Sequence, residues 1–307
     1  MKKYALIFLI SIILVIAGCS QNTGNKSGES LGSPFIGGNK GIVAEFTQIG
    51  SLNENTNTEE VFTTDDFPIE IDVKNIGETA IEPGKVKVIM TGVALTDFEP
   101  AIPQQKLNAL KLDGISEFNN EGSSEQVSLG RFKYKTPVHG NSIDLTFTAK
   151  IEYLYSTRAT VPKVCFKGNP MDTSVCKLDE VKQVFSSAAP IQVKSATEKQ
   201  AGSGKIAVEF EIVNVDGGDV TTFDKDFDFR YDQFSFTATP AEKWVCTSPS
   251  GSTGIVRFNP AGNAKITCTL KEALKKDEIY QQELGLTLDY KYKILQQKQL
   301  RVKKELV

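Results

Sequence analysis

The stretch "PIEIDVKNIGETAIEPGKVKV", residues 68–88, decides the fold. Ile69, Ile71 and Val73 alternate with Glu70, Asp72 and Lys74, and the run stops at Asn75-Ile76-Gly77. Such alternation predicts a strand with one face on a core and one in water. The same period returns from Ile143 through Phe147 and Ile151 to Tyr155, from Ile206 to Ile212, and from Leu284 to Ile294. Helical signal is scarce. The best candidate, "LKEALKK" at 270–276, is short enough to read as a single turn between two strands. Gly- and Pro-rich stretches such as "GNP" and "PAGN" fit hairpins. The fold class is therefore all-β.

Two landmarks repeat. "KIAVEFEIVNVDGGDVTTF" (205–223) matches the opening stretch, with Asn214 standing 139 positions after Asn75. "LTFTAKIEYLY" (145–155) matches "ELGLTLDYKYK" (283–293), with Tyr290 and Tyr292 standing 137 positions after Tyr153 and Tyr155. Nearly equal offsets predict tandem homologous domains at 42–190 and 191–307, joined at "SSAAP" (186–190). Each is expected to be a two-layer, immunoglobulin-like antiparallel β-sandwich. The tyrosines fall on the inward phase and read as core. The run from Ile71 to Gly77 resembles the I-x-V-x-N-x-G pattern of CARDB-type surface modules of bacteria and archaea, and Ile212 to Gly217 resembles it more loosely. That resemblance implies adhesion, spacing or assembly at a cell surface, without chemistry of its own.

The N-terminus supplies the location. Met1-Lys2-Lys3 precedes an apolar run from Tyr4 to Ala17, too short for a membrane span and suited to a signal-peptide core. Val15-Ile16-Ala17-Gly18-Cys19 resembles a lipobox. The resemblance implies cleavage of residues 1–18, a diacylglyceryl group on Cys19, and an anchor in the cell membrane on its extracytoplasmic side. An ordinary secretory peptide and an uncleaved helix are the alternatives. Residues 19–41 are Gly-, Ser- and Asn-rich, a flexible tether of roughly 25 Å root-mean-square reach. With Cys19 removed from the five cysteines, an even set remains: Cys165, Cys176, Cys246 and Cys268. Four cysteines allow three pairings. Cys165–Cys176 and Cys246–Cys268 are favoured because each pair lies within one candidate domain. Zinc is disfavoured by spacings that are not CxxC and by the absence of a nearby histidine.

Composition narrows the chemistry. The 307 residues carry a formal charge of −3, so no global basic field draws nucleic acid. The single histidine, His139, sits in the turn "TPVHGNS" and leaves little material for a triad or proton shuttle. No P-loop, dinucleotide fingerprint or metalloprotease motif occurs, and no cofactor is expected. The run "DGGDVTTFDKDFDFRYDQF" (216–234) reads as an edge strand with a charged face, and calcium at Asp224, Asp226 and Asp228 is its alternative reading. Residues 112–130 read as a long polar loop, with partner contact as its functional reading. Lys291, Lys293, Lys298, Arg301, Lys303 and Lys304 read as a solvated strand face, with anionic lipid or wall polymer as the alternative. Trp244 is expected to cover a disulfide.

These readings converge on a non-enzymatic, lipid-anchored surface protein that offers two sandwich modules for envelope structure, adhesion or partner binding. A ligand-binding accessory subunit of a membrane transport or secretion complex is the alternative from another class, and a hidden hydrolase is a third.

Overall fold

The computed structural model describes residues 32–305 apart from 229. The lipobox, Cys19 and most of the expected tether lie outside the described residues. From Ser33 onward the chain forms one compact unit. Its strands, in chain order, are β1 (Ile42–Phe46), β2 (Ser51–Asn53), β3 (Thr58–Phe62), β4 (Phe67–Asn75), β5 (Val86–Thr91), β6 (Phe98–Glu99), β7 (Gln105–Leu107), β8 (Ser124–Tyr134), β9 (Ser142–Lys167) and β10 (Glu180–Lys182). They continue with β11 (Phe185–Ser186), β12 (Ile191–Gly202), β13 (Lys205–Asn214), β14 (Asp219–Thr221), β15 (Gln233–Thr239), β16 (Trp244–Thr247), β17 (Ile255–Arg257), β18 (Asn263–Leu270) and β19 (Ile279–Lys303). No α-helix occurs among the described residues, and residues 271–277 turn between β18 and β19 as their sequence predicts.

The architecture is an all-β sandwich built on one long ribbon. β9 and β19 have 26 and 25 residues. At about 3.4 Å per residue each is roughly 85 Å long. They pair antiparallel from Ser142↔Lys303 to Lys167↔Ile279. The ribbon is the spine of a ten-stranded sheet in order β17-β15-β19-β9-β5-β7, to which β2, β3, β11 and β14 attach. Two smaller sheets, β1-β4-β8-β6 and β10-β12-β13-β18-β16, complete the layers. One pair departs from the antiparallel expectation: β3 runs parallel to β19, with Leu300 opposite Glu59.

The predicted alternation explains the core. Ile69, Ile71 and Val73 are fully buried, as are Phe147, Ala149 and Ile151 on β9 and Leu284, Leu286 and Leu288 on β19. Each large apolar side chain so buried contributes roughly 1.5–3 kcal/mol. These residues belong to a single hydrophobic cluster that also includes Ile206, Val208, Phe210 and Ile212. At the expected joint, 186–190, Ala189 belongs to this cluster, and Ser187 and Ala188 are fully buried beside it. Their small size lets the backbone pass close to its neighbours. The Ala188 Cβ sits 3.1 Å from the position a Cβ would take at Gly38.

Three local expectations change. The described residues of the alternating run 223–231 form no strand. Backbone hydrogen bonds from Lys225 N–H to Thr222 O and from Tyr231 N–H to Asp228 O fold it into turns. The second half of the 112–130 loop is strand β8, hidden because a bulge opposite Ile69/Glu70 breaks the period between Leu129 and Phe132. Residues 35–38 of the expected tether lie against the body. The Glu78 carboxylate accepts the N–H groups of Ile36 (3.0 Å), Gly37 (3.1 Å) and Ala188 (2.5 Å).

Candidate functional site

The two repeated landmarks meet at the middle of the ribbon. Tyr155 stands opposite Tyr290 and Tyr153 opposite Tyr292. All four rings are at most 1 % exposed, with centroids 5.7–6.4 Å apart in four of their pairings. A buried hydroxyl needs a partner, and each repeat supplies one from the turn after its Asn. Tyr155 Oη donates to Asn75 Oδ1 (3.1 Å) and accepts the Thr79 N–H (3.2 Å). Tyr292 Oη donates to Asn214 Oδ1 (2.7 Å) and accepts the Gly218 N–H (2.8 Å). Each Asn amide then closes its own turn, onto Thr79 O and Gly218 O. Glycine is required where the turn meets the ring: a Cβ on Gly77 would lie 2.0 Å from Tyr155 Oη, and one on Gly218 2.5 Å from the Tyr292 ring. In the second repeat the glycine that matters is thus Gly218, one residue beyond the expected Gly217. Burial holds the hydroxyls of Tyr153, Tyr155, Tyr290 and Tyr292 well above their ordinary pKa. This node is structural; it joins the halves and leaves no hydroxyl free for chemistry.

The concave feature beside the node is an open cleft of about 580 Å³. Its walls are β1 on one side, the 216–219 turn on another, and Lys293–Gln296 of β19 as floor. Lys40 stands 4.0 Å from Asp216, and Lys293 pairs with Asp219 at 2.6 Å. Burial pushes the Asp216 carboxyl up while the Lys40 ammonium pulls it back. The cleft mixes backbone edge, aliphatic surface and paired charge, which suits an extended peptide better than a reacting small molecule. Sequence reading missed it, because its two walls come from different repeats.

The remaining predicted residues fall as follows. Cys165–Cys176 and Cys246–Cys268 are disulfides, with S–S distances of 2.02 and 2.07 Å. The first closes the segment leading to β10, which is pinned by buried charge. Lys182 Nζ lies 2.9 Å from the fully buried Glu198 carboxylate, which also accepts the Cys165 N–H. Burial raises the Glu198 pKa against the pull of Lys182. Trp244 packs edge-on against Phe166, the neighbour of Cys165. Asp228 is taken by Arg230 (2.7 and 3.0 Å), whose hydrogen bonds bring its pKa down to about 2. Among the described residues no group of three or more His, Cys, Asp and Glu could hold a metal. The basic strand is largely neutralised: Lys298 pairs with Glu59, Arg301 with Asp144, and Lys303 with Glu60. His139 is exposed in its turn.

The fold defines an all-β sandwich protein with an internal repeat. No family profile matches the chain, and no curated protein does. Among solved structures, the CupB6 tip adhesin from Pseudomonas aeruginosa aligns at 6 % identity and TM-score 0.18, over 87 % of this chain and 98 % of that one. A chain of Sulfolobus Turreted Icosahedral Virus aligns at 8 % identity and TM-score 0.14, over 90 % and 100 %. Likeness at this level carries no argument about function.

Proposed function

We propose that this chain is a non-enzymatic lipoprotein of the extracytoplasmic membrane face, held at Cys19 and offering its sandwich repeats to a protein or envelope partner. One observation carries the reading. Cys19 is the odd cysteine, it sits in a lipobox-like stretch, and the other four form disulfides, which persist in oxidising compartments. The CARDB-like turns at Asn75 and Asn214 support a surface module. Their repeated residues are consumed in packing, so they support presentation rather than catalysis. Two acyl chains give stable attachment where one does not. No described helix is long and apolar enough to cross a membrane. The open cleft favours a second reading, an accessory subunit that receives a segment of a transport or secretion complex.

The test is the intact mass of the mature protein from its native membrane. Cleavage before residue 19, the mass of a lipid group and the loss of four hydrogens for two disulfides are the expected result. Cys19→Ala is expected to leave the chain unprocessed or released. A variant that stays membrane-bound and is cleaved as before would overturn the anchor.

A further inference from the structure

The first repeat has a bare sheet edge where the second has a covered one. β1 pairs with β4 on one side only. Gly41 O accepts from Ile76 N–H and Thr47 N–H donates to Glu70 O, so odd-numbered residues from 41 to 47 spend their backbone groups on β4. Ile42, Ala44 and Phe46 therefore direct theirs to the free edge. The Ile42 N–H is met by Tyr153 Oη at 3.4 Å. Ala44 and Phe46 have no such partner among the described residues. The matching strand of the second repeat is β12, for Ile191 stands opposite Asn214 as Ile42 stands opposite Asn75. There the edge is covered by β10, with Lys182 opposite Ala196. Ala196 faces Phe210 as Phe46 faces Ile71, each four residues before the Asn of the node.

Space and charge specify what is missing at β1. A cleft of about 580 Å³ borders the free edge along Val43–Glu45, and a second of about 470 Å³ lies over the outer face that β1 shares with β4 and β8. On the outer face Glu45 stands directly opposite Asp72, two exposed like charges on adjacent strands. Neither has an ion-pair partner among the described residues, and the nearby Lys74 is turned to Glu121 (3.8 Å). We propose that the free edge of β1 accepts, by strand addition, an extended segment of a partner protein that alternates apolar and basic residues. Backbone groups of Ala44 and Phe46 bond the segment, its apolar side chains face the ribbon, and its cations meet Glu45, with Asp72 one strand further in. A second copy of this chain fits poorly. The antiparallel register that uses both Ala44 and Phe46 sets Glu45 against the Glu45 of the other copy.

This inference rests on the partner-binding reading, and its test is independent of the anchor. Full-length protein in detergent is titrated with a ten-residue Val-Lys alternating peptide and with its Val-Glu counterpart, followed by fluorescence anisotropy and amide exchange over residues 42–47. The Val-Lys peptide is expected to bind and to slow exchange at Ala44 and Phe46, and the Val-Glu peptide is expected not to. Ala44→Pro removes an outward N–H that β4 does not use, a place where strands tolerate proline, and is expected to weaken binding at least tenfold. Glu45→Lys keeps every backbone bond and is expected to weaken it similarly, with its melting temperature held near the parent value. Equal binding of both peptides, no protection at Ala44 and Phe46, unchanged affinity in Glu45→Lys, or a chain that dimerises through β1 and ignores the peptide would each overturn the proposal. Native protein whose intact mass shows no lipid but which still binds the basic peptide would remove the anchor reading and leave this one standing.

Discussion

Replacing Tyr155 with Phe tests the central node most directly. The ring stays in its buried place, and only the hydroxyl goes. Asn75 Oδ1 keeps a second donor, the Gly77 N–H at 3.2 Å. Thr79 N–H, by contrast, donates to Tyr155 Oη at 3.2 Å and loses that acceptor. A buried donor left unpaired costs about 1–3 kcal/mol, and the Thr79 N–H sits in a half-buried turn. The compact unit spans Ser33–Val307, and unfolding entropy of about 2.1 cal/mol/K per residue gives close to 0.6 kcal/mol/K. A loss of about 2 kcal/mol therefore lowers the melting temperature by about 3–4 °C. Because one ribbon and one core serve both repeats, differential scanning calorimetry is expected to show a single transition that moves as a whole. A shift below about 1 °C would mean that Thr79 finds another acceptor. Two resolved transitions, only one of which moves, would mean that the halves melt separately. Either result refutes the reasoning.

Other predictions follow from the same contacts. Four buried tyrosines with raised pKa values contribute stability that is complete below about pH 10 and is lost as pH rises toward their folded values. The slope approaches about 1.4 kcal/mol per pH unit for each, so urea midpoints between pH 9 and 12 should fall steeply, and less so in Tyr153→Phe. Lys182→Ala strands the Glu198 carboxylate, at a cost of about 3–5 kcal/mol. Glu198 already titrates above its ordinary value because of burial, so the variant should lose further stability as pH rises, and melts at pH 5 and pH 8 should show the gap widening at pH 8. Gly77→Ala and Gly218→Ala, which force a Cβ onto the tyrosines, should destabilise by about 1–3 kcal/mol or more. Gly217→Ala meets open space at φ +74° and should cost about 1 kcal/mol, a ranking that thermal melts will check.

Much of the fold was legible because burial writes itself into a strand with a period of two. Ile69 to Val73, Phe147 to Tyr155 and Leu284 to Tyr292 are buried in the predicted phase. The repeat was legible because Asn75 with Tyr155, and Asn214 with Tyr292, satisfy one another's buried hydrogen bonds. What pairs with what was not. Nothing local to 142–167 names 279–303 as its partner, since ladder bonds use backbone common to every residue. Alternation also misled at 223–231, where Asp228 prefers Arg230 and a turn to a ladder. Small residues at 186–190 resembled a linker, yet the same smallness admits them to a crowded core. The cleft beside β1 escaped notice because its walls lie some 170 residues apart in sequence.

The length of the β9–β19 ladder has a mechanical meaning. Tension applied along the ribbon does not peel it open from one end. It loads the cross-links from Ser142–Lys303 to Lys167–Ile279 side by side, so that many must rupture at once before the strands slide. A pull along its length would meet a stiff ladder rather than beads on a string.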